Sequence, residues 1–141
     1  MKATVVAIVD AGPLYAAADE NDRDHERCLR VLASAFVRPV YPAMAIAEAT
    51  YFVGRRLGAE AEARFLRAFS DLHVECPTPG DFERMAELVR RYAGFPLGGT
   101  DASVIALAER LKTDTIVTLD RRHFGSVKPA HCESFRILPE G

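Results

Sequence analysis

The chain has 141 residues, 49% of them apolar and 27% charged, with a formal net charge of -2. That length suits one domain with a real core, and the balance excludes a disordered chain. The slight acidity argues against a protein that coats nucleic acid by charge, and no apolar run nears the roughly 18 residues of a membrane span.

The start, Met1–Val9, reads as a first strand rather than a signal peptide. Its Val5-Val6-Ala7-Ile8-Val9 run is continuous and β-branched, the mark of a strand buried on both faces. It stops at Asp10, and Gly12-Pro13 opens a helix. The pattern then predicts a helix from Asp22 to Ala35, a strand over Val37–Tyr41 and a helix from Pro42 to Leu57. Gly58 breaks that helix; another follows over Ala59–Asp71, then a short strand over His73–Cys76. Pro79 to Ala93 reads as helix, Leu97-Gly98-Gly99 as a turn, and Thr100 as the N-cap of a helix from Asp101 to Lys112. Strands over Thr115–Leu119 and Phe135–Leu138 complete the chain. Alternating strands and helices predict a mostly parallel sheet of about five strands with helices on both faces. In such folds the working site lies beyond the carboxyl ends of the strands.

Cys28, Cys76 and Cys132 are an odd number without CxxC spacing, which predicts a reducing, cytoplasmic setting and no disulfide framework. His25-x-x-Cys28 and His131-Cys132 do not repeat as zinc half-sites.

Most acids here sit among polar or basic neighbours, but Asp10, Glu48, Asp101 and Asp120 do not. On a helix, Glu48 has Met44 and Ala45 one turn back and Tyr51 and Phe52 one turn on. An unpaired carboxylate on such a stripe costs several kcal/mol or neutralises itself. The plainer reading puts Glu48 at the edge of the stripe, reaching water or Arg55. Asp101 is followed at helical spacing by Val104, Ile105 and Ala108, so it opens a buried face, although an acid there also suits the helix dipole. Asp10 and Asp120 each end an apolar strand, where a single Asp is as readily a cap.

Geometry links the four. A helix from Asp101 to Lys112 carries the chain roughly 18 Å away, and a five-residue strand from Thr115 returns it by about 16 Å. Asp120 then stands level with Asp101, and Asp10, ending a parallel neighbour, lies at the same edge. Glu48, within two turns of its helix start, reaches the same opening. Four converging carboxylates repel unless a cation intervenes, and oxygen-only donors select Mg²⁺ or Mn²⁺. Such an ion activates water and offsets charge on a phosphodiester.

At these residues the sequence resembles the PIN-domain nucleases, particularly the bacterial toxin branch called VapC. The resembling segments are VVAIVDAGPLYAAAD, PAMAIAEATYFVGRRLG, PLGGTDASVIALAERL and TIVTLDRRHF. They cover nearly the whole chain in the family's order. The resemblance implies a three-layer α/β PIN-like fold, with residues 1–141 as one PIN domain, and a metal-binding catalytic set at Asp10, Glu48, Asp101 and Asp120. It further implies metal-dependent RNA cleavage, with RNA as substrate and a cognate antitoxin protein as inhibitor; a homodimer is the expected assembly. One departure stands out. Many members carry Ser, Thr or Asn just after the first Asp, where this chain has Ala11 and Gly12. A hydroxyl's share in the site then passes to Thr118, Thr100 or water.

Other readings fit less well. A phosphoacceptor receiver domain needs an acid pair after strand one and an Asp closing the third strand, where Cys76-Pro77-Thr78 stands. A haloacid-dehalogenase-type phosphatase needs an Asp at the position of Gly12, and no P-loop or GxGxxG occurs. His123, within Arg121-Arg122-His123-Phe124, reads as part of a turn against the sheet edge rather than as a general base. A PIN-like scaffold that binds RNA or protein without cutting, and a housekeeping RNA-processing nuclease, remain the alternatives. Phosphate contacts are open to Arg55, Arg56, Arg90, Arg91, Arg121, Arg122 and Lys128.

Overall fold

The computed structural model describes residues 3–141 and forms an α/β fold around a five-stranded sheet. Met1 and Lys2, read above as leading into the first strand, lie outside the described residues. The strands are β1 (Val5–Val9), β2 (Val37–Pro42), β3 (Val74–Glu75), β4 (Thr115–Val117) and β5 (Arg136–Leu138). Their order is β3-β2-β1-β4-β5, and every pair is parallel. The chain therefore builds outward from β1 in one direction, then crosses to β4 on the other side. That reversal opens a crevice at the carboxyl ends of β1 and β4.

Alternation along β1 sorts the core into two layers. Ala7 and Val9 face α1 (Ala11–Ala18), α2 (His25–Leu32), α3 (Ala43–Leu57) and α4 (Ala59–Ala68). Ile8 faces α5 (Pro79–Arg91), α6 (Gly99–Leu111) and α7 (Arg121–Ser126). Ala102 through Ala108 are all buried in α6, which packs on α5, β1 and β4. Small residues such as Ala102, Ser103 and Ala106 let those backbones approach closely.

The expected elements are all present, and the differences lie at their ends. α2 is shorter than the span Asp22 to Ala35, because Asp22 and Asp24 hold a turn in which the Asp22 carboxylate accepts the Asp24 amide at 2.8 Å. Pro42 closes β2 and stands as the N-cap of α3 instead of opening the helix, since its ψ of 133° is extended. The N-cap of α6 is Gly98 and not Thr100, so Asp101 lies inside the first turn rather than at its first position. β4 stops at Val117, because Thr118 turns its hydroxyl toward β1. The segment Arg121–Ser126, read as a turn, is a short helix capped by Asp120.

Candidate active site

The four acids arrive from both layers. Asp10 follows β1 and precedes α1; its amide donates to the Val117 carbonyl of β4 at 2.9 Å, tying the two strand ends together. Glu48 projects from α3 in one layer and Asp101 from α6 in the other, while Asp120 follows β4. All four line one open cleft, together with Gly12, Leu119, Arg121 and Arg122.

Asp10 is only 7% exposed. Burial pushes its carboxyl up from 3.8 to about 6, helped by the charges of Asp101 and Glu48 and opposed by hydrogen bonds from Thr118 and the Ala11 backbone. Asp101 is raised as well, chiefly by burial, with Asp120 and Glu48 adding to it. The Gly98 backbone and the charge of His123 pull the other way. The helix-start and cleft readings of Asp101 therefore hold together, since one carboxylate serves the first turn and faces the other acids.

Glu48 is exposed rather than buried on an apolar stripe. The buried line of α3 is Ala45, Ala49 and Val53, and Tyr51 and Phe52 point largely to solvent. Glu48 thus sits at the stripe's edge and faces the cleft. Arg55 does not pair with it and lies over the Tyr51 ring, 5.6 Å from its centroid.

Thr118 supplies the hydroxyl missing after Asp10. Its Oγ donates to Asp10 Oδ2 at 2.8 Å and accepts the Asp120 amide at 3.0 Å. Thr100 does not take that part; its carbonyl accepts the Ser103 hydroxyl at 2.7 Å.

His123 is the site residue that sequence reasoning passed over. Its amide donates to Asp120 Oδ1 at 2.9 Å, its ring Nδ1 hydrogen-bonds Asp120 Oδ2, and the same nitrogen stands 3.8 Å from Asp101 Oδ2. Phe95, just ahead of α6, packs edge-on against the ring at 4.8 Å. The available signal was spacing: position i+3 from an N-cap Asp faces that cap.

The donor set suits a hard divalent cation. It offers carboxylate oxygens, one of them held toward neutrality by burial and, to a smaller extent, by its acidic neighbours, an electrostatic state that a cation relieves. The set is not ready-made. Among the described residues no three His, Cys, Asp or Glu side chains form a metal-holding group as they stand, and Asp120 is committed to His123. Its side chain is 38% exposed, and to join a cation it would have to exchange the His123 ring for the ion.

A family model described as the PIN domain matches residues 7–128. Ribonuclease VapC26 of Mycobacterium tuberculosis is 34% identical over 137 residues, covering 94% of this chain and 99% of that protein. The crystal structure of VapC20 from the same species, described as a Sarcin-Ricin loop cleaving toxin, aligns with a TM-score of 0.71 at 20% identity. That match covers 79% of this chain and 86% of VapC20. VapBC2 from Rickettsia felis, bound to a DNA fragment from its promoter, aligns at 0.65 with 18% identity, covering 85% of this chain and 91% of that one. These two structures speak for the fold; the family model and the nearly end-to-end relative speak for descent, and on them the chain belongs to the PIN-domain family.

Proposed function

We propose that this chain is a metal-dependent endoribonuclease and the toxin of a toxin–antitoxin pair. The observation that carries the reading is the convergence of Asp10, Glu48, Asp101 and Asp120 on one cleft, with Asp10 pushed up to about 6. The likeness to a ribonuclease over 94% of the chain supports RNA as the substrate.

Asp10, Asp101 and Glu48 would hold Mg²⁺ or Mn²⁺, with Asp120 joining directly or through water. A divalent ion there supplies a polarised water and positive charge for a phosphodiester. The chain's own part is positioning. Thr118 fixes Asp10 and, through the Asp120 amide, the start of α7. Glu48, exposed at the mouth, orients water or completes the donor set. Arg121 and Arg122 line the same cleft and offer charge to the RNA backbone. A protein partner that inhibits the enzyme is supported by the similar Rickettsia felis VapBC2 and by a Klebsiella pneumoniae toxin–antitoxin complex that aligns with a TM-score of 0.64. A homodimer working in the cytoplasm completes the proposal. Among the described residues no helix is long and apolar enough to cross a membrane.

The test is cleavage of total bacterial RNA by the purified chain, with Mg²⁺, with Mn²⁺ and with EDTA. Cleavage restored by either ion and lost in Asp10→Asn upholds the reading. RNA binding without cleavage at any metal concentration makes the chain a non-cutting scaffold.

A further inference from the structure

A second cleft adjoins the acidic one, and its lining has a different chemistry. Gly12, Glu48 and Leu119 line both, so the two are continuous. Beyond that shared wall stand Tyr15 from α1, Phe52 and Arg56 from α3, and Asp22, whose carboxylate is taken up by the Asp24 amide at 2.8 Å. The Arg56 guanidinium lies 5.0 Å from the Tyr15 ring centroid and 4.9 Å from that of Phe52. Phe52 is 38% exposed, so part of its ring is open to the cleft.

The Arg56 side chain hydrogen-bonds the Tyr15 hydroxyl, and no carboxylate among the described residues neutralises it directly. Among the described residues it makes no ion pair. Asp19 acts on it through charge, but that carboxylate already accepts the Tyr15 hydroxyl at 2.6 Å and the Asn21 amide at 3.0 Å. A flat aromatic face, a neighbouring guanidinium and an opening onto a phosphodiester site are the parts of a single-strand nucleotide subsite, with stacking for the base and charge for the phosphate. Gly12, exposed and without a side chain, leaves the passage between the clefts low.

We propose that this cleft holds the unpaired RNA nucleotide next to the scissile phosphate, its base stacked on Phe52 and its phosphate held by Arg56. The assignment rests on the endoribonuclease reading above. RNA is favoured over an apolar protein segment by place and composition. The surface suited to such a segment is a separate groove lined by Leu14, Leu32, Phe65 and Phe69, which shares no lining residue with the acidic cleft.

The experiment uses the full chain with Mn²⁺ and a short single-stranded RNA containing a cut site mapped on total RNA. Phe52→Ala, Phe52→Leu and Arg56→Gln should each raise KM roughly tenfold, with kcat changed far less. Phe52→Trp should retain or lower KM, because it keeps a stacking face. Phe52→Leu keeps apolar bulk without that face, so it separates stacking from folding. An RNA with 2-aminopurine beside the cut site, bound to the inert Asp10→Asn variant, should be quenched, and Phe52→Leu in that background should lose the quench. Wild type that cuts while all three variants keep its KM overturns this assignment and leaves the nuclease reading standing. Wild type that cuts no RNA overturns both. Unchanged KM with lost binding of an inhibitory protein would make the cleft a protein-docking surface instead.

Discussion

Thr118 reaches back across the sheet to Asp10, donating its hydroxyl at 2.8 Å to a carboxylate that is 7% exposed. The same oxygen accepts the Asp120 amide at 3.0 Å, so one side chain sets the spacing of two acids from different strands. Thr118→Val should leave the part-buried Asp120 amide and the buried Asp10 carboxylate short of a partner, costing about 1–3 kcal/mol. Cleavage should fall tenfold or more, and Thr118→Ser should restore most of both. Thermal midpoints and RNA cleavage by the two variants check this; full activity in Thr118→Val would remove the hydroxyl from the site.

The pH dependence of the metal-free protein follows from Asp10. Its carboxyl, raised from 3.8 to about 6, binds a proton more tightly in the folded chain than in the unfolded one. Between those values the folded state holds the extra proton, so stability falls as pH rises. The contribution is complete below the unfolded value and lost above the folded one, by up to about 3 kcal/mol. In EDTA at pH 7.5, Asp10→Asn should therefore melt roughly 5–10 °C above wild type, with the gap closing near pH 4. Equal midpoints at pH 7.5 would mean that Asp10 carries no such penalty.

Much of this was legible in the chain, for reasons specific to each element. A continuous β-branched β1 ending in Asp10, and an α6 whose buried face begins at Asp101, fix the sheet edge and two of its acids. Thr118 was open to inspection as the hydroxyl nearest Asp120. For Glu48 the sequence left the stripe and its edge both open, because helical neighbours alone do not say which side of a stripe the core takes: Ala45, Ala49 and Val53 pack inward, leaving Tyr51 and Phe52 out. His123 was read as a turn residue because, apart from the nearby Asp120, its partners Asp101 and Phe95 stand more than twenty residues earlier in the chain, and only folding brings them to it. Thr100 lost the cap position to Gly98, which has the extended backbone an N-cap requires.

Asp101 gives a prediction that separates its two parts. Asparagine keeps a carbonyl for the Gly98 amide while removing charge from a carboxyl that burial and its acidic neighbours already hold up. Asp101→Asn should thus melt at or above the wild-type temperature in EDTA, yet lose Mg²⁺- or Mn²⁺-dependent RNA cleavage. Calorimetric titration with Mn²⁺ should show weakened binding, a readout independent of turnover. Strong destabilisation would assign the residue to helix capping; normal cleavage would remove it from the centre.

The last prediction concerns the cell. Expression of the wild-type chain should arrest a bacterial host, and a small partner protein encoded beside it should relieve the arrest. Before a divalent ion binds, the acids Asp10, Glu48, Asp101 and Asp120 outnumber Arg121 and Arg122 in the cleft, so an Arg or Lys inserted in the ion's place complements it. The apolar groove lined by Leu14, Leu32, Phe65 and Phe69 offers the partner a separate anchor. Wild type and Asp10→Asn should be expressed separately, and growth followed with and without the partner. Replacing the partner's inserted base by Glu should abolish relief without unfolding it. Arrest by Asp10→Asn as strong as by wild type would show that cleavage is not the cause. A harmless wild type in its natural host, with the partner deleted, would make housekeeping RNA processing the better account of the same four acids.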